Sequence, residues 1–258
     1  MTALITGASS GIGRELAKLY AADGYDILLV SRRGGELGNL ANELTEKYRH
    51  RVWIHVEDLS DPEAAQHIYD KCVELDLTID ALVNNAGFGH LNEFVDADQH
   101  RLNQMIQVNV AVLVALTGYF LPLMKQRNRG YVLNISSTAA FQPGPLMAVY
   151  YATKAFVLSF SEALSFELRQ SAVSVTALCP GPTKTGFGDT AGMQKTELFD
   201  SPNVLAVERV ALAGFRAAKR GTRVCIPGML NKLLIAGVRF CPRWLVMVIV
   251  HRVQSNRR

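Results

Sequence analysis

Apolar positions along this chain follow two alternating rhythms. Short apolar runs recur near 2–6, 26–31, 52–57, 79–83, 131–136, 173–179 and 223–227, and between them apolar residues return every third or fourth position. Runs such as Ile27-Leu28-Leu29-Val30 are continuous rather than alternating, as strands buried on both faces require, and the longer period between them is that of helices. Strands that alternate with helices predict an α/β fold, a doubly wound parallel β-sheet of about seven strands with helices on both faces. The longest helix-like stretches are Asp98 to Lys125 and Met147 to Gln170. With no internal repeat and no Pro/Ser-rich linker, 258 residues read as one domain, and 49% hydrophobic residues supply a large core.

The first strand runs into Thr6-Gly7-Ala8-Ser9-Ser10-Gly11-Ile12-Gly13 and then the amphipathic run Arg14 to Ala22. Glycines at this turn let the backbone approach a pyrophosphate, whose charge is favoured by the free N–H groups and dipole of the following helix. The spacing is G-x-x-x-G-x-G, not the commoner G-x-G-x-x-G, so its place between strand and helix carries the reading. The second strand ends in Ser31-Arg32-Arg33, where an acidic residue would bind a ribose 2′-hydroxyl. Two guanidiniums suit a 2′-phosphate instead, so NADP(H) is expected over NAD(H).

Further along, Ser137, Tyr150 and Lys154 offer a hydroxyl, a phenol and an ammonium. On a helix, residues 150 and 154 share a face, and the cation can stabilise a phenolate that otherwise forms near pH ~10. Ser137 would hold a carbonyl oxygen while Tyr150 protonates it. Tyr151 lies three residues from Lys154, so periodicity alone leaves open which tyrosine faces the ammonium.

Taken in order, Thr6 to Gly13, Asn84-Asn85-Ala86-Gly87, Asn109, Ser137, Tyr150-x-x-x-Lys154 and Pro180-Gly181 resemble the short-chain dehydrogenase/reductase superfamily, over about residues 1 to 227. The resemblance implies a Rossmann-like sheet, NADP(H) as cofactor, and a catalytic tetrad of Asn109, Ser137, Tyr150 and Lys154. It selects Tyr150 over Tyr151. It also implies cofactor contacts from Gly7, Ser9, Ser10, Gly11, Ile12, Gly13, Ser31, Arg32, Arg33, Tyr150 and Lys154. Asp58 and Leu59 are implied at the adenine, Asn85, Ala86 and Gly87 behind the fourth strand, and Pro180, Gly181, Thr183 and Thr185 near the nicotinamide. A homodimer or homotetramer, paired through the two longest helices, is implied as well.

Substrate is expected where strand carboxyl ends open into Phe88 to Glu93, Thr138 to Met147 and Thr183 to Asn203. Phe88, His90, Ala139, Phe141, Leu146, Met147 and Phe187 are the candidate contacts, and they favour a hydrophobic ketone, aldehyde or secondary alcohol. Stretch 186–192 is a candidate lid. The expected function is an NADPH-dependent carbonyl reductase. Alternatives are a 3-oxoacyl or steroid reductase of lipid-linked substrates and, in another class, an NADP-binding regulatory or membrane-scaffold protein.

Charge changes the picture only at the end of the chain. The net charge of +4 conceals a segment, 209–258, with eleven Lys and Arg and no Asp or Glu. Within it, 228–258 is a basic, apolar extension in which Lys232, Arg239, Pro242 and Arg243 interrupt any run near the ~20 residues that span a bilayer. It reads either as a helical cap on the fold or as an interfacial helix on anionic lipid. Nucleic acid is not expected, for the cations lack a binding module. Nor is a metal, because His50, His55, His67, His90, His100 and His251 form no ligand pair. Met1 leads straight into the first strand without a signal segment, and Cys72, Cys179, Cys225 and Cys241 are widely spaced, so a cytoplasmic protein, free or peripheral to a membrane, is expected.

Overall fold

A computed structural model describes residues 1–183, 185–192 and 204–255. Seven strands form one parallel sheet: β1 (Thr2–Thr6), β2 (Asp26–Ser31), β3 (Val52–Val56), β4 (Ile79–Asn84), β5 (Tyr131–Ile135), β6 (Ser174–Leu178) and β7 (Val224–Cys225). Their order is β3-β2-β1-β4-β5-β6-β7, so the chain reverses direction across the sheet between β1 and β4. Ligands of such sheets bind at that reversal, beyond the carboxyl ends of the strands.

Alternation along each strand sorts the core into two layers. Ala3, Ile5, Ile27, Leu29, Ala81 and Val83 point to one side, where they meet α1 (Gly11–Ala22), α2 (Gly34–Tyr48) and α8 (Val207–Lys219). Leu4, Leu28, Val30, Leu82 and Val132 point to the other, against α3 (Ala64–Glu74) and α5 (Val112–Gln126). Strands β1 and β4 are buried throughout, as their unbroken apolar runs predict. Edge strand β3 leaves Ile54 and Val56 exposed.

Two expected elements differ. The stretch Asp98 to Lys125 is not one uniform helix: α4 (Gln99–Ile106) passes through a π-helical turn, Gln107–Ala111, into α5. Asn109 occupies that turn and is 1% exposed. Its Nδ2 donates to Phe88 O and Thr153 Oγ1, and its Oδ1 accepts from Phe88 N. Residues 99–126 are long and apolar enough to cross a membrane, yet Val112, Leu116, Phe120 and Met124 are spent on the core. The final strand also stops early, at Cys225, because Pro227 has no N–H to extend the ladder and Gly228, at φ 87°, turns the chain into α9 (Met229–Val238).

Polar groups stitch the buried strands to the helix that carries Tyr150 and Lys154, α6 (Ala148–Glu167). Asn84 Nδ2 donates to Asn134 Oδ1 at 2.9 Å, and Asn134 Nδ2 to Ser161 Oγ at 2.9 Å. Removing Asn134 takes two buried bonds from this chain, leaving Asn84 Nδ2 with Thr117 Oγ1 and Ser161 Oγ with Val157 O. Asn134→Ala is therefore expected to cost about 2–3 kcal/mol in urea unfolding with an unchanged m-value, and a loss below about 0.5 kcal/mol would contradict the network.

Candidate active site

The glycine turn after β1 is held by the fourth strand. Asn85 Nδ2 donates to Thr6 O and Gly7 O, while the amides of Asn85 and Ala86 donate to Thr6 Oγ1. Gly7 has φ 63°, and a Cβ there would lie 2.8 Å from Asn85 Nδ2. A Cβ on Gly13 would run into Gly7 O and the same amide nitrogen. Ser10 caps α1 without a side-chain hydrogen bond to the helix amides, which leaves the first amides of that helix open to an anion. Ile12 packs on the core beneath, and Thr185 lies over Gly11, its Cγ2 3.3 Å from a Cβ built there.

Beside the turn, Arg33 forms a polar pocket with three serines. Its Nη2 donates to Ser9 Oγ at 3.0 Å and Ser10 Oγ at 2.6 Å, and Ser31 Oγ donates to Ser9 Oγ at 2.8 Å. Glu36 balances the guanidinium. Arg32 does not join this pocket; it pairs with Asp58 at 3.6 Å, both side chains half-exposed. Asp58 also accepts from Ser60, and Leu59 is buried under Val30. A dinucleotide with a 2′-phosphate fits this surface: close backbone approach at Gly7 and Gly13, free helix amides, and a guanidinium among hydroxyls.

The carbonyl-side residues converge at the carboxyl ends of β4 and β5. Lys154 Nζ donates to Ile135 O at 2.9 Å, and Gly87 separates it from Asn109, a Cβ at Gly87 lying 3.2 Å from Nζ and 3.1 Å from Asn109 Oδ1. Burial lowers the Lys154 pKa to about 8. Ser137 Oγ accepts from Ala139 N, capping the 3-10 turn Thr138–Phe141. Burial raises the Tyr150 phenol above its ordinary value, while a hydrogen bond with Ser137 opposes the rise. The expected lowering of that phenol by Lys154 is thus not what the structure has, since the ammonium sits 5.8 Å from the ring centre and is turned to Ile135 O.

Tyr151 is resolved by a contact that periodicity does not encode. Its hydroxyl accepts from Gln254 Nε2 at 2.6 Å, on the C-terminal helix α10 (Arg243–Ser255), and its ring fills the space a side chain at Gly144 would need. Pro180 O accepts from Thr138 N, Gly181 abuts Asn231, and Thr183 Oγ1 donates to Gly181 O. Gln254 and Asn231, both buried polar residues, carried no signal beyond lying in an apolar stretch.

An apolar cover closes over Tyr150. Leu91, Leu102, Met105, Ala139 and Met147 are buried with it, and Phe88, Leu146 and Phe187 pack around them. Phe187, on the short helix α7 (Phe187–Thr190), lies 5.3 Å from the Tyr150 ring centre. Leu91 N donates to Ala191 O, fastening this part of the expected lid. A cavity of about 50 Å³ remains, lined by His90, Asn92, Leu146, Met147 and Tyr150 among others. Phe141, expected among the substrate contacts, is not part of this cover: Ala139 packs into it, while Phe141 packs against a cluster with Leu158, Cys179 and Ile226. Positions 184 and 193–203 of the expected substrate loop lie outside the described residues. A larger cavity of about 510 Å³ sits at the amino ends of the strands, lined by Met1, Asp80, Arg129 and Lys219, and holds none of the motif residues.

A dinucleotide turn at the sheet reversal, facing a buried tyrosine and lysine, defines a nicotinamide-dependent oxidoreductase. Residues 1–231 match the family model described as short chain dehydrogenase. The chain belongs to the short-chain dehydrogenase family. It is 36% identical over 180 residues to a very-long-chain 3-oxoacyl-CoA reductase from Laccaria bicolor, covering 68% of this chain and 53% of that protein, so the match spans about half the relative's length. A protein of the same name from Anas platyrhynchos is 33% identical over 231 residues, 87% of this chain and 72% of the relative. Among solved structures, a short-chain dehydrogenase from Sphingobium yanoikuyae in complex with NADPH superposes with a TM-score of 0.83 at 33% identity, covering 93% of each chain.

Two outcomes follow from the geometry. Tyr150→Phe is expected to cut kcat/KM by about a thousandfold through loss of the proton donor, whereas Tyr151→Phe, losing one bond to Gln254, should stay within roughly fivefold; the reverse ranking would transfer the role to Tyr151. The second concerns pH. Because the folded chain holds the Lys154 proton less tightly than an unfolded chain, whose lysines titrate near ~10.4, the destabilisation from its buried charge is fully present below pH 8 and relieved as pH rises from about 8 toward ~10. Lys154→Met should abolish that relief, seen as a smaller thermal-midpoint advantage over wild type at pH 9.5 than at pH 7; an advantage that does not change with pH would contradict it.

Proposed function

We propose that this oxidoreductase uses NADPH to reduce a ketone or aldehyde on a hydrophobic substrate to the alcohol, reversibly. The observation that carries the reading is a phenol buried under an apolar cover, with Ser137 as the neighbouring hydroxyl that acts on its pKa. Burial keeps Tyr150 protonated at neutral pH, which is the acid form that reduction consumes. Bound NADPH supplies the hydride to the carbonyl carbon. Tyr150 Oη then gives its proton to the developing alkoxide, and Ser137 Oγ holds the same oxygen in line. Lys154, lowered by burial to about 8, is the nearby group that could resupply a proton to the phenol once it turns from Ile135 O, and Asn109 fixes the loop at Phe88.

Arg33, Ser9, Ser10 and Ser31 support NADP(H) over NAD(H), with a guanidinium already set among hydroxyls where a 2′-phosphate can replace intramolecular contacts. Arg32 contributes charge from its pair with Asp58. The 3-oxoacyl reading is favoured by two observations: the lining is apolar, and relatives carry the name very-long-chain 3-oxoacyl-CoA reductase. Under it, the carbonyl belongs to a long acyl thioester.

NADPH oxidation across bulky ketones, aldehydes and 3-oxoacyl thioesters of increasing chain length tests both. Turnover that rises with chain length is expected, and Arg33→Ala should lower kcat/KM for NADPH by about 10–100-fold while sparing NADH. Tight NADPH binding with no oxidation by any compound would overturn the reductase reading.

A further inference from the structure

The C-terminal helices α9 and α10 are bound to the fold by one face and leave the other unpartnered. On the packed face, Asn231 lies against Gly181 and donates to Pro227 O at 2.9 Å, while Val246, Val250 and Gln254 are buried. Gln254 reaches the hydroxyl of Tyr151, next to the proposed proton donor. The cap expected from the sequence therefore exists, but it accounts for only half of each helix.

On the free face, Leu233, Phe240, Trp244, Val248 and Ile249 are all more than half exposed, Phe240 at 88% and Trp244 at 64%. Apolar side chains concentrated in this way mark an interaction surface. Lys232, Arg239, Arg243 and Arg252 are interleaved with them and exposed. None of the four is in an ion pair among the described residues, and no Asp or Glu follows position 208.

Charge decides what occupies the surface. A second copy docking by the same face would set cation against cation with no carboxylate to meet either. An anionic lipid surface receives both chemistries at once, with apolar rings below the headgroups and guanidiniums at the phosphates. The helices lie on such a surface and do not cross it: α9 has ten residues and α10 thirteen, both short of the ~20 a span needs. Arg239, Pro242 and Arg243 break the join between them.

We propose that α9 and α10 form an interfacial foot that seats this protein on anionic lipid through the face turned away from Gln254 and Tyr151.

The test is sedimentation of the full chain with vesicles, which requires no turnover. With an equal mixture of phosphatidylglycerol and phosphatidylcholine the protein should pellet, and with phosphatidylcholine alone or in high salt it should largely remain in solution. At roughly fivefold per cation near the surface, Lys232→Gln with Arg239→Gln and Arg243→Gln should lower partitioning about a hundredfold. Phe240→Ser with Trp244→Ser should lower it at least tenfold. NADPH affinity should stay unchanged in both, which shows that the fold is intact. With Trp53→Phe leaving Trp244 as the reporter, emission should shift to the blue on anionic vesicles. Wild-type protein left in the supernatant with the mixed vesicles would overturn the proposal, as would light scattering in which Phe240→Ser with Trp244→Ser turns a dimer into a monomer. If the chain binds vesicles but reduces nothing, the foot stands and the reductase reading falls.

Discussion

A lysine ammonium and a tyrosine phenol shut away from water set the terms that the surrounding structure meets. Burial works against the charged form of each, drawing Lys154 down to about 8 and pushing Tyr150 up. Holding them side by side therefore needs compensation, and neighbouring strands and loops supply it. Ile135 at the end of β5 offers its carbonyl to the ammonium, Ser137 offers a hydroxyl to the phenol, and Gly87 at the end of β4 lets Asn109 and Lys154 approach one backbone position. The chain of Asn84, Asn134 and Ser161 holds the sheet and α6 in fixed relation. A proton donor that stays protonated at neutral pH and a lysine that gives up its proton readily form a pair suited to delivering protons to an alkoxide.

Much of this was legible from the order of residues. Strands buried on both faces announce themselves as unbroken apolar runs, so β1, β2, β4, β5 and β6 fall within a residue or two of expectation. The glycine turn was legible because its backbone needs a positive φ at Gly7 and Gly11 and close approach at Gly13. What periodicity could not carry were features decided by contacts between distant segments. The π-turn at Asn109 arises because its amide bonds both backbone groups of Phe88, twenty-one residues earlier, and hydropathy reads straight through it. The direction of Tyr151 is fixed by Gln254. Phe141 and Ala139 share one short turn, yet its geometry sends them to different clusters.

The two arginines after β2 show the same limit on a smaller scale. Composition makes Arg32 and Arg33 equivalent, but only Arg33 is drawn into the serines of the glycine turn, while Arg32 leans to Asp58. The C-terminal extension combines both kinds of information. Its cations and apolar residues were visible at once, whereas their separation into one packed and one free face depends on where Asn231, Val250 and Gln254 find partners. Through Gln254 the C-terminal helix touches Tyr151, which packs with Phe187 and the apolar cover around Tyr150.

The central claim is that a hydride arrives at a carbonyl carbon held beside Tyr150. The most direct measurement follows the label: the protein is given NADPH carrying deuterium at C4 of the nicotinamide together with a long-chain 3-oxoacyl thioester, and the product is read by mass spectrometry and NMR. The account predicts one deuterium on the new carbinol carbon, from one face of the nicotinamide only, and a hydroxyl proton drawn from solvent. An alcohol product with no deuterium on that carbon would contradict it.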